Sequence, residues 1–138
     1  MAPTGSPGTA TLFLAGDVMT GRGIDQVLPH PADPRLYEAS AKSANDYVTL
    51  AERKNGPISR PVSFEYVWGA ALDELERRQP DARIINLETA ITDSGTPEPK
   101  GINYKMSPAN AGVILAAGID CCALANNHML DWRRPGLL

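Results

Sequence analysis

The sequence predicts a mainly parallel α/β domain, and three observations carry that prediction. Three short apolar runs, at residues 9–15, 82–87 and 119–124, have the length and residue types of buried strands. Helical segments lie between them, so successive strands are joined by crossovers, as parallel pairing requires. Each run also opens onto polar side chains at its carboxyl end, the edge where open α/β sheets carry their ligands.

A chain of 138 residues suffices for one domain with a real core but not for two. With 43% hydrophobic and 21% charged residues it has the ordinary composition of a soluble globular protein. The net charge of -3 is spread without a basic stripe, so nucleic acid is not an expected partner. No apolar stretch is long enough for a transmembrane segment. The N-terminus lacks the positive segment of a secretion signal, which places the chain in the cytoplasm at face value. A different native N-terminus would place it at the membrane or outside the cell. Cys121 and Cys122 are adjacent, so in a strand they point to opposite faces and read as small core residues of a reducing compartment.

Residues 1–8 are rich in Pro, Gly, Ser and Thr and read as a flexible tail, leaving residues 9–138 as the domain. The first strand is expected over residues 9–15, closed by Gly16-Asp17, with a short helix around Gly23 to Leu28. Prolines at 29, 31 and 34 enforce a surface loop. Ser43 to Lys54 reads as a helix with Tyr47, Leu50 and Ala51 on its inner face, ended by Asn55-Gly56-Pro57. Trp68 to Arg78 reads as another, with Leu72 and Leu75 inward and Asp73/Arg77 and Glu74/Arg78 paired outside. The second strand follows at Ala82 to Leu87.

Residues 92–101 form a loop on composition, and Asn103 to Met106 a short edge strand. Ser107-Pro108 has the form of a helix start, running to Ala117 and stopped by Gly118. The third strand covers Ile119 to Leu124. Pro135 to Leu138 opens a further helix, and a sheet ending in a helix stub leads to the expectation that the chain is part of a longer protein.

The strand ends supply Asp17, Glu88, Asn127 and His128 from segments tens of residues apart. Two carboxylates and an amide oxygen suit a divalent ion such as Mn²⁺, Mg²⁺, Fe²⁺ or Zn²⁺. A histidine beside it can act as general acid. Each residue has a plainer alternative: Asp17 as a turn cap, Glu88 in solvent, Asn126 and Asn127 as left-handed turn residues, His128 as a structural histidine. Four separate turn roles do not explain the shared position. Arg22 in the glycine-rich loop is a candidate clamp for an anionic group or a solvated surface arginine. Lys105 is a second anion contact or an exposed lysine, and Asp131 orients His128 or faces solvent. His30, among prolines, reads as loop.

Taken in order, GDVMTGRGIDQ (16–26), INLETAIT (85–92), GINYKM (101–106) and LANNHMLDW (124–132) resemble the bacterial capsule-synthesis protein family, which takes its name from poly-γ-glutamate capsule formation. The resemblance runs from Thr11 to the end of the chain. It implies a branch of the calcineurin-like metallophosphoesterases, so that the chain forms the N-terminal part of a two-sheet α/β sandwich, truncated at Leu138. It also implies metal ligation by Asp17, Glu88 and Asn127, a proton-donating His128, and substrate contacts from Arg22, Asn126 and Lys105. Two departures stand out. Met19 occupies the place of a metal-binding histidine in the wider phosphoesterase pattern, and Arg133 replaces the glycine that usually follows the Asp-Trp pair.

Two functions follow from the resemblance. One is a metal-dependent phosphoesterase-like hydrolase acting on an anionic polymer or phosphoester. The other is a non-catalytic accessory module that binds polyglutamate or a capsule synthase complex in polymer synthesis or export. A nucleotide-binding α/β domain is a third, and it leaves Glu88 and the Asn-Asn-His cluster unexplained.

Overall fold

The computed structural model describes residues 8–138, so the tail read over residues 1–8 lies outside the described residues except for Gly8. The central sheet has three strands, β1 (Leu12–Val18), β2 (Ala82–Leu87) and β5 (Cys121–Ala123), in the spatial order β1-β2-β5 and all parallel. A separate two-stranded parallel sheet joins β3 (Ala90–Ile91) to β4 (Lys105–Met106). The helices are α1 (Arg22–Asp25), α2 (Ala44–Asn55), α3 (Ala71–Arg78), α4 (Gly112–Ala116) and α5 (Arg133–Leu137). The expected α/β class thus stands as a mixed α/β fold with two small sheets.

The first strand differs most from expectation. It begins three residues later than read and runs through Gly16-Asp17 instead of stopping there. Ala15 pairs with Ile85 and Asp17 with Asn86, so Gly16 is the extra residue of a bulge. Strict alternation would put Asp17 on the same face as Phe13 and Ala15, which pack on the core. One inserted residue reverses that and aims Asp17 out of the core beside Asn86.

Helix α2 is capped as its sequence demands: Ser43 accepts from the Asn45 N–H, and the Asp46 carboxylate accepts from the Ser43 N–H. Its inner face is Ala44 and Val48 with Tyr47 and Ala51 beside them, whereas Leu50, read as inward, is exposed. Helix α3 starts later than read, after a 3-10 turn at Glu65–Val67. There Glu74 takes both Arg77 and Arg78, in place of the expected Asp73/Arg77 pair. Leu75 is its buried residue and Leu72 only half-buried. The expected edge strand at residues 103–106 shortens to β4, and its partner β3 carried too short a pattern to be read. Ser107 makes no side-chain cap, and Pro108–Asn110 is 3-10, but the chain does turn at Gly118 with φ 59°.

The core lies on one face of the main sheet. Ile85 and Leu87 are buried against Val48, Val62, Met106, Val113 and Ile114, with Phe13, Ala15, Val18 and Cys122 packed on them. On the other face Leu14, Ile84 and Cys121 stand in register, with Leu14 67% exposed. Cys121 is exposed and Cys122 half-buried on opposite faces, both as free thiols. Among the described residues no helix is long and apolar enough to cross a membrane.

Candidate functional site

The three strand ends meet at one edge because the strands are parallel and adjacent. Asn86, on the middle strand, stands between Asp17 of β1 and Ala123 of β5. Its Nδ2 donates to Asp17 Oδ1 at 2.9 Å and to Glu88 Oε2 at 2.6 Å. Its Oδ1 accepts from Asn126 Nδ2 at 2.9 Å, which also donates to the Leu87 carbonyl. The Asn126 side-chain oxygen then accepts the His128 N–H at 3.0 Å, fixing the turn that follows β5.

His128 is buried and held on two sides. Nδ1 lies 2.7 Å from Asp131 Oδ2, and its ring stacks on Tyr104 with centroids 3.9 Å apart. Asp131 Oδ2 also accepts the Tyr104 N–H at 2.6 Å, and its Oδ1 pairs with the Lys100 ammonium. A carboxylate accepts only, so Nδ1 is the protonated nitrogen and Nε2 faces Glu88, 3.8 Å from Oε1. Asp131 is fully buried and orients the imidazole, one of the two roles its position allowed. Lys100 reaches further, to the Asn127 carbonyl at 2.7 Å. The Asn127 residue is exposed, and among the described residues its side chain bonds neither Asp17 nor Glu88.

Arg22 lies near this cluster but is already engaged. Its Nη2 pairs with the buried Glu38 at 2.8 Å, and its guanidinium lies 4.1 Å over the Tyr47 ring and 5.3 Å from the Tyr104 ring. Tyr47 donates to the same Glu38 oxygen; that hydrogen bond, followed by burial, raises the phenol above its usual range. Arg22 has φ 53°, a left-handed backbone between Gly21 and Gly23. Beside it opens a mostly apolar cleft of about 370 Å³, and Met19 lines this cleft. Lys105 sits over the Trp132 ring at 4.2 Å, whose Nε1 donates to the Tyr104 carbonyl.

The structure therefore brings Asp17, Glu88, Asn126 and His128 into one hydrogen-bonded cluster. Arg22 touches it only through Tyr104, and Lys105 and the Asn127 side chain remain outside it. Among the described residues no group of three or more His, Cys, Asp or Glu side chains is arranged to hold a metal ion. Asp17 and Glu88 instead share one amide donor.

Sequence reasoning missed Asn86, Tyr104 and Lys100. Asn86 did leave a signal, a lone amide inside the apolar run Ile84 to Leu87. Lys100 lies in a loop and carries no local pattern. Arg133 has φ 59°, so the position after Asp131-Trp132 does require the left-handed conformation that glycine adopts freely.

Residues 11–138 match the family model described as bacterial capsule synthesis protein PGA_cap. The chain is 48% identical over 134 residues to proteins from two strains of Mycobacterium tuberculosis, each named "Probable polyglutamine synthesis accessory protein". The match covers 96% of this chain and 35% of each relative, so the chain spans about a third of the length of the curated relatives it matches.

Proposed function

Because the chain belongs to the bacterial capsule synthesis protein family, we propose that it is an accessory module that binds an anionic polymer such as poly-γ-glutamate during capsule synthesis or export. The observation that carries this reading is the closure of the strand-end cluster. Asn86, Glu88, Asn126, His128 and Asp131 are engaged with one another, while Asp17 and Asn127 stand exposed at its rim. A preformed, internally satisfied surface favours recognition, since little order has to be gained on binding.

A γ-linked glutamate chain offers amide N–H groups, which Asp17 and Asn127 can accept, and carboxylates, which Lys105 can take. The name of the Mycobacterium tuberculosis relatives, probable polyglutamine synthesis accessory protein, supports the accessory part of this reading. The test is calorimetric titration with γ-linked glutamate oligomers. Saturable, salt-weakened binding is expected, with the oligomer recovered at unchanged length. Asn127→Ala and Lys105→Ala each lower affinity about fivefold, the worth of one hydrogen bond or exposed charge contact. Absence of binding by the wild-type chain refutes the reading.

One observation favours a second reading, a phosphoesterase-like hydrolase of the calcineurin-like type. Asp131 fixes His128 so that Nε2 faces Glu88, the placement that a proton-transferring imidazole at this edge needs. In that reading Asp17, Glu88 and Asn127 would hold a divalent ion (Mn²⁺, Mg²⁺, Fe²⁺ or Zn²⁺), which would supply Lewis-acid polarisation of a phosphoryl oxygen. Its test is divalent-dependent hydrolysis of a generic phosphodiester, abolished in His128→Ala.

A further inference from the structure

We propose that Asn86 is the positioning residue that ties the ends of all three parallel strands into one site. The proposal rests on the reading that this edge is the binding surface. Asn86 occupies the last register position of β2 that is flanked by both outer strands, with Asp17 on one side and Ala123 on the other. Ala123 has no polar side-chain atom, so the turn after β5 reaches back with Asn126 instead.

The amide is used to its full donor capacity. One N–H goes to Asp17 Oδ1 at 2.9 Å and the other to Glu88 Oε2 at 2.6 Å, while the carbonyl oxygen accepts from Asn126. Two carboxylates are thereby held toward the same nitrogen by a neutral group. The third link passes on: Asn126 Oδ1 receives the His128 N–H, so the relay runs Asp17, Asn86, Asn126, His128 across the sheet edge. An aspartate at position 86 would keep the acceptor but set a third carboxylate against two others. An alanine would remove all three links.

The first test is amide hydrogen exchange, followed by NMR, on the full chain. In Asn86→Ala the His128 amide should exchange about tenfold faster or more, because Asn126 loses a partner that held it. The amides of Val62 and Thr92, bonded elsewhere in the fold, should keep their rates. Asn86→Asp keeps the acceptor for Asn126 and should leave the His128 amide near its wild-type rate, while repulsion of the Glu88 carboxylate should speed the Glu88 amide, which donates to the Val18 carbonyl at 3.0 Å. Asn126→Ala should speed His128 and spare Glu88. That variant also decides the matter if Asn86→Ala does not fold. An unchanged His128 amide in a folded Asn86→Ala, or in Asn126→Ala, overturns the proposal, as does a uniform acceleration across the chain. Titration with the glutamate oligomer runs in parallel, and Asn86→Ala should lose about tenfold in affinity. If the wild-type chain does not bind the oligomer, the polymer-binding reading fails, while the exchange rates still decide the role of Asn86.

Discussion

Replacing Asp131 by alanine should be among the most damaging single changes at the strand-end edge. Asp131 is fully buried and serves three partners: the Tyr104 N–H at 2.6 Å, His128 Nδ1 at 2.7 Å and the Lys100 ammonium. Truncation leaves two donors without acceptors in a part-buried to buried setting, at about 1–3 kcal/mol each. Lys100 is about a third exposed (31%) and can turn to water, so its loss adds little. The sum, about 2–6 kcal/mol, brackets the usual cost of about 3–5 kcal/mol for breaking a buried pair by removing one member. For a chain of this size that lowers Tm by on the order of 10 °C, a large part of a typical stability of about 5–15 kcal/mol. Urea unfolding followed by far-UV circular dichroism gives the global value. The fluorescence of Trp132, whose indole donates to the Tyr104 carbonyl, reports on the same neighbourhood. Lys100→Ala serves as the control, at about 1 kcal/mol or less. A loss below about 1 kcal/mol in Asp131→Ala would show that the three bonds are not made together and would refute the account of how His128 is oriented.

Four further outcomes follow from the fold. Gly21→Ala should cost about 1–3 kcal/mol in the same unfolding assay, since a Cβ there would lie 2.5 Å from the Lys105 carbonyl oxygen and 2.8 Å from Thr89 Oγ1. Arg133→Gly should stabilise by about 0.5–1 kcal/mol, because it relieves a left-handed φ of 59° and gives up only the exposed pair with Glu98. The Tyr47 phenol is raised above its ordinary value of 10.0 chiefly by its bond to Glu38. The stability it contributes is therefore complete below about pH 10 and lost as pH rises through the higher folded value, and Tyr47→Phe should remove that alkaline slope from the Tm profile. Burial pushes the Cys122 thiol up while Cys121 is exposed, so mass-resolved alkylation at pH 8 should modify Cys121 first; equal rates would contradict the assigned faces.

The strand and helix types were legible because each rests on a local pattern. The apolar run Ala82–Leu87 forms β2 over the residues expected, and Ser43 caps α2 with the box its sequence spells out. Proline placement made the loop after α1 certain. Boundaries failed where a nonlocal partner decided them. Gly16-Asp17 looks like a strand stop, yet pairing with β2 carries the strand through a bulge. Leu50 fits a helical face by spacing, but the rotation of α2 is set by Ala44 and Val48 packing toward the core.

For the site, the sequence by itself determined that Asp17, Glu88 and the Asn-Asn-His cluster share one edge, since parallel strands put their carboxyl ends together. The family resemblance, and not the residues themselves, marked position 133 as one where glycine is usual. Only the tertiary structure decided which of those groups touch. The bulge turns Asp17 toward Asn86, Glu38 occupies the Arg22 guanidinium, and Asp131 selects the His128 nitrogen that faces the edge. The first two outcomes depend on residues 69 and 16 positions apart along the chain and on one inserted residue in a register. Periodicity records what a segment buries; it holds no record of which distant side chain arrives to share a proton.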